Sequence, residues 1–311
     1  MAFFPLCHAL GGIIRGFPAA AYEKCASPQI PAGCGLAQRK KFSFMKLDTL
    51  QCCQKAMDGH YLVSEEGCNK SMEAITSDTF FDGRLQVRQF RKGYRFSIDA
   101  VILADHIRPR PGEIVLDLGA GCGIISLILA YRYTESNVIG VEIQPELADL
   151  ARVNAFANGM QARIRILCED MKGLDPAHLP GPVDWVATNP PYRKTDAGRL
   201  NPHPQRAVAR HEIKVAMPDV IAAARRVLRT GGKFVTVYTA ERMTEVLHQM
   251  QSSGVEPKFC RMIHSGSTTN AKLVLLEGVK GGHPGMVVAP PLFIYRENGD
   301  YTTEIEKMFR P

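Results

Sequence analysis

Asn189-Pro190-Pro191-Tyr192 is the stretch of this sequence whose residue types are best suited to chemistry. It ends the run Val183-Asp184-Trp185-Val186-Ala187-Thr188, which reads as a buried parallel strand that two consecutive prolines then stop. Pro191 keeps Pro190 out of helical angles, and neither ring has a backbone N–H to donate. The result is a stiff elbow at the carboxyl end of a strand, the edge at which open α/β sheets bind ligands. It presents an amide (Asn189), a carbonyl (Pro190) and an aromatic face (Tyr192). That set suits a flat molecule bearing an exocyclic amine, whose two N–H bonds the amide oxygen and the carbonyl can accept while the ring stacks. An isolated Pro-Pro is more often a plain strand-ending turn, so the neighbouring motifs decide.

The first of them is Asp117-Leu118-Gly119-Ala120-Gly121-Cys122-Gly123, between an apolar run and a helical one. Glycines there let the backbone turn sharply and a ligand come close. The spacing is G-x-G-x-G, and Ile124 stands where the dinucleotide pattern wants its third glycine. Asp117 puts a carboxylate where a pyrophosphate is unwelcome and an ammonium is not. Glu142 ends the next strand, 23 positions after Gly119, where an acid can accept both hydroxyls of a ribose. Jointly these favour an adenosyl ligand without a diphosphate, although Asp117 alone could cap a helix and Glu142 alone could be a surface acid. Asp170 sits just past a further strand, where it could read an adenine amine or cap a helix.

The elements that must position these residues alternate strand and helix, which implies an α/β fold with a mostly parallel sheet and helices on both faces. Strands are expected at 113–118, 137–141, 163–168, 183–188 and 233–238, with helices at 122–133, 145–158, 218–228 and 240–253 between them. A last pair, 258–264 and 271–277, is joined by too few residues for a helical crossover and should be antiparallel. Ahead of the alternation, Arg84–Phe90 alternates as a strand, Lys92-Gly93 reads as its turn, and Tyr94–Phe96 as the returning strand. Ser97 then caps a helix over 98–106. Five basic residues on this hairpin (Arg84, Arg88, Arg91, Lys92, Arg95) make either a solvated face or a phosphate-contacting one. Residues 1–75 show no sustained period and are expected to be a disordered extension, leaving 76–311 as the domain. The net charge of +7 leans weakly toward an anionic partner. Nine cysteines fit neither a zinc pattern nor a disulfide framework, and no apolar run approaches the roughly 20 residues that span a bilayer. No metal and no membrane contact are expected, and Cys122, Cys168 and Cys260 are expected to be reduced cytosolic thiols.

Asp117–Gly123, Glu142, Glu169-Asp170-Met171 and Asn189–Tyr192 together resemble the ordered motifs of class I S-adenosylmethionine-dependent methyltransferases. The resemblance implies a Rossmann-like, seven-stranded sheet with one antiparallel strand and S-adenosylmethionine as cofactor. It implies cofactor contacts at Asp99, Asp117, Gly119, Gly121, Gly123, Glu142, Ile143, Asp170, Met171 and Asn189. The elbow is similar to that of the branch that methylates planar amino nitrogens: adenine N6, cytosine N4, guanine N2 and a glutamine amide. Lys92–Ala104, Asn201–Glu212, Lys280–Gly285 and Pro290–Leu292 resemble the bacterial family of tRNA adenine-N6 methyltransferases that act on a valine tRNA. That likeness runs from Asp78 to the end of the chain and leaves out residues 1–75. The activity it implies is methylation of adenine N6 in tRNA, by a cytoplasmic monomer, with Asn189, Pro190 and Tyr192 catalytic. The alternatives are guanine N2 of rRNA and a glutamine amide of a protein such as a release factor. The basic stretch Arg193–Arg210 lies beside the elbow, and Arg193, Lys194, Arg206 and Arg210 are the expected grip on RNA phosphates.

Overall fold

A computed structural model describes residues 75–92, 95–190 and 216–310. The expectations for residues 1–74, for Gly93-Tyr94, for Pro191-Tyr192 and for the basic stretch through Arg210 lie outside the described residues. Strand β1 (Ile75–Phe80) and strand β2 (Leu85–Phe90) form an antiparallel hairpin in which Phe80 faces Leu85 and Ile75 faces Phe90. This corrects the sequence expectation, since β2 pairs with the strand before it and residues 95–97 are not strand. The turn uses Phe81, Asp82 and Gly83, all at positive φ (53°, 55° and 83°). Phe81 tolerates a left-handed backbone because its ring is buried, stacked on Tyr131 at 4.6 Å with the Arg132 guanidinium 5.2 Å above it.

Helix α1 (Ile98–His106) follows, starting where expected. Ser97 occupies the cap position, yet its hydroxyl bonds the Asp99 carboxylate instead of a backbone amide. Then come β3 (Ile114–Leu118), α2 (Ile124–Arg132), β4 (Asn137–Glu142), α3 (Pro145–Ala157), β5 (Ile164–Cys168) and β6 (Val183–Thr188). Beyond the undescribed segment lie α4 (Met217–Val227), β7 (Leu228–Thr239), α5 (Met243–Ser252), β8 (Val255–His264) and β9 (Ala271–Lys280). Two-residue strands β10 (Val287–Val288) and β11 (Leu292–Phe293) and the short helix α6 (Thr303–Met308) end the chain.

The sheet runs β10-β8-β9-β7-β6-β3-β4-β5, with β11 also on β8. Seven long strands make the expected sheet, β9 being antiparallel to both neighbours, and β10 and β11 extend it to nine by adding parallel to β8. Right-handed crossovers put α2 and α3 on one face, because β3, β4 and β5 step one way, and α4 and α5 on the other, because β6 and β7 step back. On that second face Val220, Ile221, Ala224 and Val227 of α4 and Val246 and Met250 of α5 close over Leu116, Val186 and Phe234. One boundary differs from expectation. The strand expected from 233 begins earlier; β7 starts at Leu228 and slips register between Leu228↔Val183 and Lys233↔Trp185. The glycine is required there, since a Cβ on Gly232 would lie 2.9 Å from the Arg229 carbonyl and 3.1 Å from that of Asp184.

The hairpin is held to the domain by α3. Asn154 and Asn158, one helical turn apart, pair with β2 as a neighbouring strand would: each side-chain oxygen accepts a backbone N–H (Arg88 and Gln86, both 2.9 Å), and each side-chain nitrogen donates back to the same residue's carbonyl. Asn154, fully buried, also donates to the Cys122 carbonyl at 2.9 Å, tying the hairpin to the glycine loop.

Candidate active site

Strand register assembles the site. Leu118 of β3 is level with Thr188 of β6 and with Val141 of β4, and Glu142 is level with Cys168 of β5. The glycine loop, Glu142, the Glu169-Asp170 pair and Asn189 therefore all emerge at the carboxyl edge of adjacent strands. The Thr188 hydroxyl donates to the Leu118 carbonyl at 3.0 Å and fastens the two strand ends from which the loop and the elbow depart. This edge lies where the strand order reverses, β3 having β4 on one side and β6 on the other.

Gly119, Gly121 and Gly123 have φ of 77°, 57° and 85°, so all three need glycine. Gly119 and Ala120 both donate to the Val141 carbonyl, at 2.8 and 3.0 Å, which folds the loop back over β4. A Cβ on Gly123 would lie 3.1 Å from that of Ala151, so the loop also needs glycine to pack on α3. Glu142 is buried, and each of its carboxylate oxygens takes one backbone amide: Gly121 at 2.8 Å and Gln144 at 2.9 Å. Burial raises its pKa, and those amides oppose the rise. A carboxylate oxygen has two lone pairs, so both oxygens keep one for a further donor.

Asp117 has no exposed surface. One oxygen accepts from the Ser126 hydroxyl at 2.7 Å, and the other has no hydrogen-bond partner among the described residues. Burial raises its pKa to about 7 against the pull of Ser126, and the neighbouring Glu142 charge adds to the rise. Asp170 caps the 3₁₀ turn Met171–Gly173, its side chain accepting from the Lys172 amide at 2.9 Å, so the capping alternative is realised. Met171 is buried beneath the loop, its methyl carbon 3.9 Å from where a Gly119 Cβ would stand. Ile143 is exposed beside Glu142. Cys168 is exposed as well, unlike the buried Cys122 and Cys260.

At the elbow, Pro190 is buried and Asn189 half-buried. The Asn189 amide nitrogen donates to Asp99 at 3.3 Å, and its oxygen, buried, has no hydrogen-bond partner among the described residues. Asp99, 90 positions earlier in the chain, thus meets the elbow directly. Tyr192, Arg193, Lys194, Arg206 and Arg210 lie outside the described residues. Sequence reasoning missed the supporting residues Ser126, Asn154 and Arg226, the last of which donates to the Met171 and Lys172 carbonyls at 3.0 and 3.1 Å. Only Asn154 left a signal, a polar residue on the apolar stripe Leu147, Leu150, Ala151, Ala155. Among the described residues no cluster of His, Cys, Asp and Glu is placed to hold a metal ion, and no helix is long and apolar enough to cross a membrane.

The family model of the methyltransferase small domain matches residues 95–256, from the approach to α1 into β8. The chain belongs to the methyltransferase small-domain family. A tRNA1(Val) (adenine(37)-N6)-methyltransferase of Porphyromonas gingivalis is 30% identical over 178 residues, covering 55% of this chain and 69% of the relative. A protein of the same description from Dyadobacter fermentans is 25% identical over 215 residues, 68% and 87% of the two chains. Among solved structures, a predicted O-methyltransferase of Agrobacterium tumefaciens superposes with a TM-score of 0.55 at 21% identity, over 68% of this chain and 94% of that one. That likeness speaks for the fold. The methyl donor of this methyltransferase is S-adenosylmethionine, and the site fits it. Among the described residues the set is two buried acids with no cation between them to meet a diphosphate, and Glu142 lies beside an exposed apolar side chain.

Proposed function

We propose that the chain methylates an exocyclic amino nitrogen of RNA, and that the target is N6 of an adenine in tRNA. The observation that carries this is the Asn189 amide, turned by Asp99 so that its oxygen is the unsatisfied group. S-adenosylmethionine, when bound, supplies a methyl group on a positively charged sulfur. Glu142 accepts the ribose hydroxyls, Ile143 and Met171 flank the adenine, Asp170 meets its amine with the oxygen not used in capping, and Asp117 holds negative charge under Gly119 for the ammonium end.

An aryl amine is a poor nucleophile because its lone pair is conjugated with the ring. Asn189 Oδ1 and the Pro190 carbonyl accept its two N–H bonds and aim the lone pair, and they stabilise the positive charge that grows on nitrogen. Tyr192 stacks on a base splayed out of its loop. Arg193, Lys194, Arg206 and Arg210 take the phosphates. Arg84, Arg88, Arg91 and Lys92 of the hairpin support a polyanionic partner, since none has a carboxylate partner among the described residues. Relatives named for adenine-N6 methylation of tRNA support the choice of base and RNA. The working unit is a single copy in the cytoplasm, and residues 76–311 carry the reaction, so a chain begun at Met72 transfers methyl groups at the full rate.

Single-turnover transfer to unmodified tRNA, with the product nucleoside identified by mass, tests the reading. Methyladenosine is the expected product, and Asn189→Ala is expected to lower the rate by about 10²–10³ with cofactor affinity unchanged. Methylguanosine would move the target to another base. Methylglutamine on a protein, with RNA untouched, would overturn the RNA assignment.

A further inference from the structure

Asp99 sits in the first turn of α1 and is buried. Its Oδ1 accepts from the Ser97 hydroxyl, and its Oδ2 accepts from Asn189 Nδ2 at 3.3 Å. An amide at this position has two nearly isosteric orientations, one offering its oxygen to the site and the other its NH₂. A carboxylate can only accept, so it tolerates the nitrogen beside it and repels the oxygen. We propose that Asp99 is a positioning residue for methyl transfer, selecting the orientation of the Asn189 amide that leaves its oxygen free for the target amine. This inference rests on the role of Asn189 given above.

Three consequences follow from the chemistry of the pair. Without the carboxylate, the flipped amide would present N–H donors to an amine that is itself a donor, and the site would hold the substrate nitrogen wrongly. A carboxylate accepting from one end of the amide also polarises it, which makes the far oxygen a better acceptor. Ser97 acts one step further out: its hydroxyl bonds Oδ1 and helps hold the carboxylate with Oδ2 toward Asn189. The charge lies in the first turn of α1, where the helix dipole favours an anion.

The test is a swap of the two side chains, read by single-turnover transfer at saturating S-adenosylmethionine and by calorimetric cofactor affinity. In Asp99→Asn the neighbour accepts either amide orientation, and the rate is expected to fall about tenfold, in the range of couplings between touching residues. Asn189→Asp sets two carboxylates face to face and is expected to lose about 10² in rate, as removal of a preorganised donor or acceptor does. In the double variant Asp99→Asn/Asn189→Asp the new amide donates to one oxygen of the new carboxylate and leaves the other free. Its rate is expected to recover about tenfold over Asn189→Asp, with cofactor affinity within about twofold of the parent. Ser97→Ala, which leaves the carboxylate in place, should cost a few-fold in rate and keeps the test open if Asp99→Asn folds poorly.

A double variant no faster than Asn189→Asp would overturn the proposal. So would an Asp99→Asn protein with weakened cofactor binding and an unchanged saturated rate, which would make Asp99 a cofactor ligand. An unaltered rate in Asn189→Ala would instead bring down the reading on which this one rests, and the two failures are distinct.

Discussion

Asp117 should make the stability of the cofactor-free protein depend on pH in an unusual direction. Its carboxyl is wholly buried with one oxygen unpartnered, and its pKa is raised from 3.8 to about 7. Between those values the folded chain keeps a proton that the unfolded chain has lost, so stability falls as pH rises from about 4 to about 7 and levels off above. A shift of roughly 3 units at 1.36 kcal/mol each makes the full loss about 4 kcal/mol, an upper bound for a group this deeply buried. Asp117→Asn removes the charge and keeps the shape. It leaves a buried NH₂ to be satisfied, which adds an offset of about 1–3 kcal/mol that does not change with pH. The observable is therefore the slope. Urea unfolding of the parent and the variant at pH 5, 6, 7 and 8 should show the variant gaining on the parent as pH rises, most steeply between pH 5 and 6. Cofactor binding should carry the mirror image: an ammonium favours the ionised form, so affinity tightens up to about pH 7 with release of a proton, seen by calorimetry in buffers of different ionisation enthalpy. A difference between parent and variant that stays constant within about 1 kcal/mol from pH 5 to 8 would show that Asp117 is ionised normally, and the reasoning from burial would fail.

Asn154→Ala strands three backbone groups at once, and should cost about 2–4 kcal/mol in chemical unfolding, whereas Asn158→Ala, on more exposed partners, should cost about 1. Equal losses in the two variants would mean that the tie to Cys122 contributes nothing. Gly140→Ala would place a Cβ 2.7 Å from Ile166 Cδ1, which can move, and 3.0 Å from Ala120 Cβ in the glycine loop, which cannot, so melting should show a loss of about 1–3 kcal/mol together with weaker cofactor binding. Glu142→Gln sets an NH₂ against one of the two backbone amides and removes the charge, and calorimetry should show S-adenosylmethionine affinity down by about 10- to 100-fold, with a value near the parent refuting its place at the ribose.

The fold was legible wherever the hydrophobic period was long enough to be counted. Strands β3 to β6 and the helices between them came out within a residue or two, and the antiparallel β8–β9 pair followed from the shortness of its connection. The hairpin failed for a local reason. Asp82-Gly83 is a strong signal for a tight turn, but Phe80-Phe81 before it reads as apolar strand, and only the contact of Phe81 with Tyr131 shows why a bulky residue takes a left-handed backbone there. Strands β10 and β11 have two residues each and no period to read. At the candidate site, the placement of Gly119, Gly121, Gly123 and Glu142 at the carboxyl edge of the sheet was legible because each has a fixed offset from a strand end. The depth of Asp117 was not, since alternation along a strand says which face a residue takes and nothing of how thickly that face is covered. The Asp99–Asn189 contact spans 90 positions, and no spacing rule in one sequence reaches that far.

That contact bears on how the site is made ready. The glycine loop is held by the chain's own groups: Gly119 and Ala120 bond Val141, Gly121 bonds Glu142, and Asn154 holds Cys122. The unsatisfied polar atoms tell the complementary story. Of four buried side-chain atoms without a partner among the described residues, two, Asp117 Oδ1 and Asn189 Oδ1, belong to the row of residues at the carboxyl edge of β3 and β6. Leaving a buried acceptor unpaired costs about 1–3 kcal/mol, so a ligand that brings a donor to either of these two residues of the row recovers that cost. A cation near the first and an N–H donor at the second would relieve both, and those are the two partners that an ammonium-bearing methyl donor and an aryl amine bring.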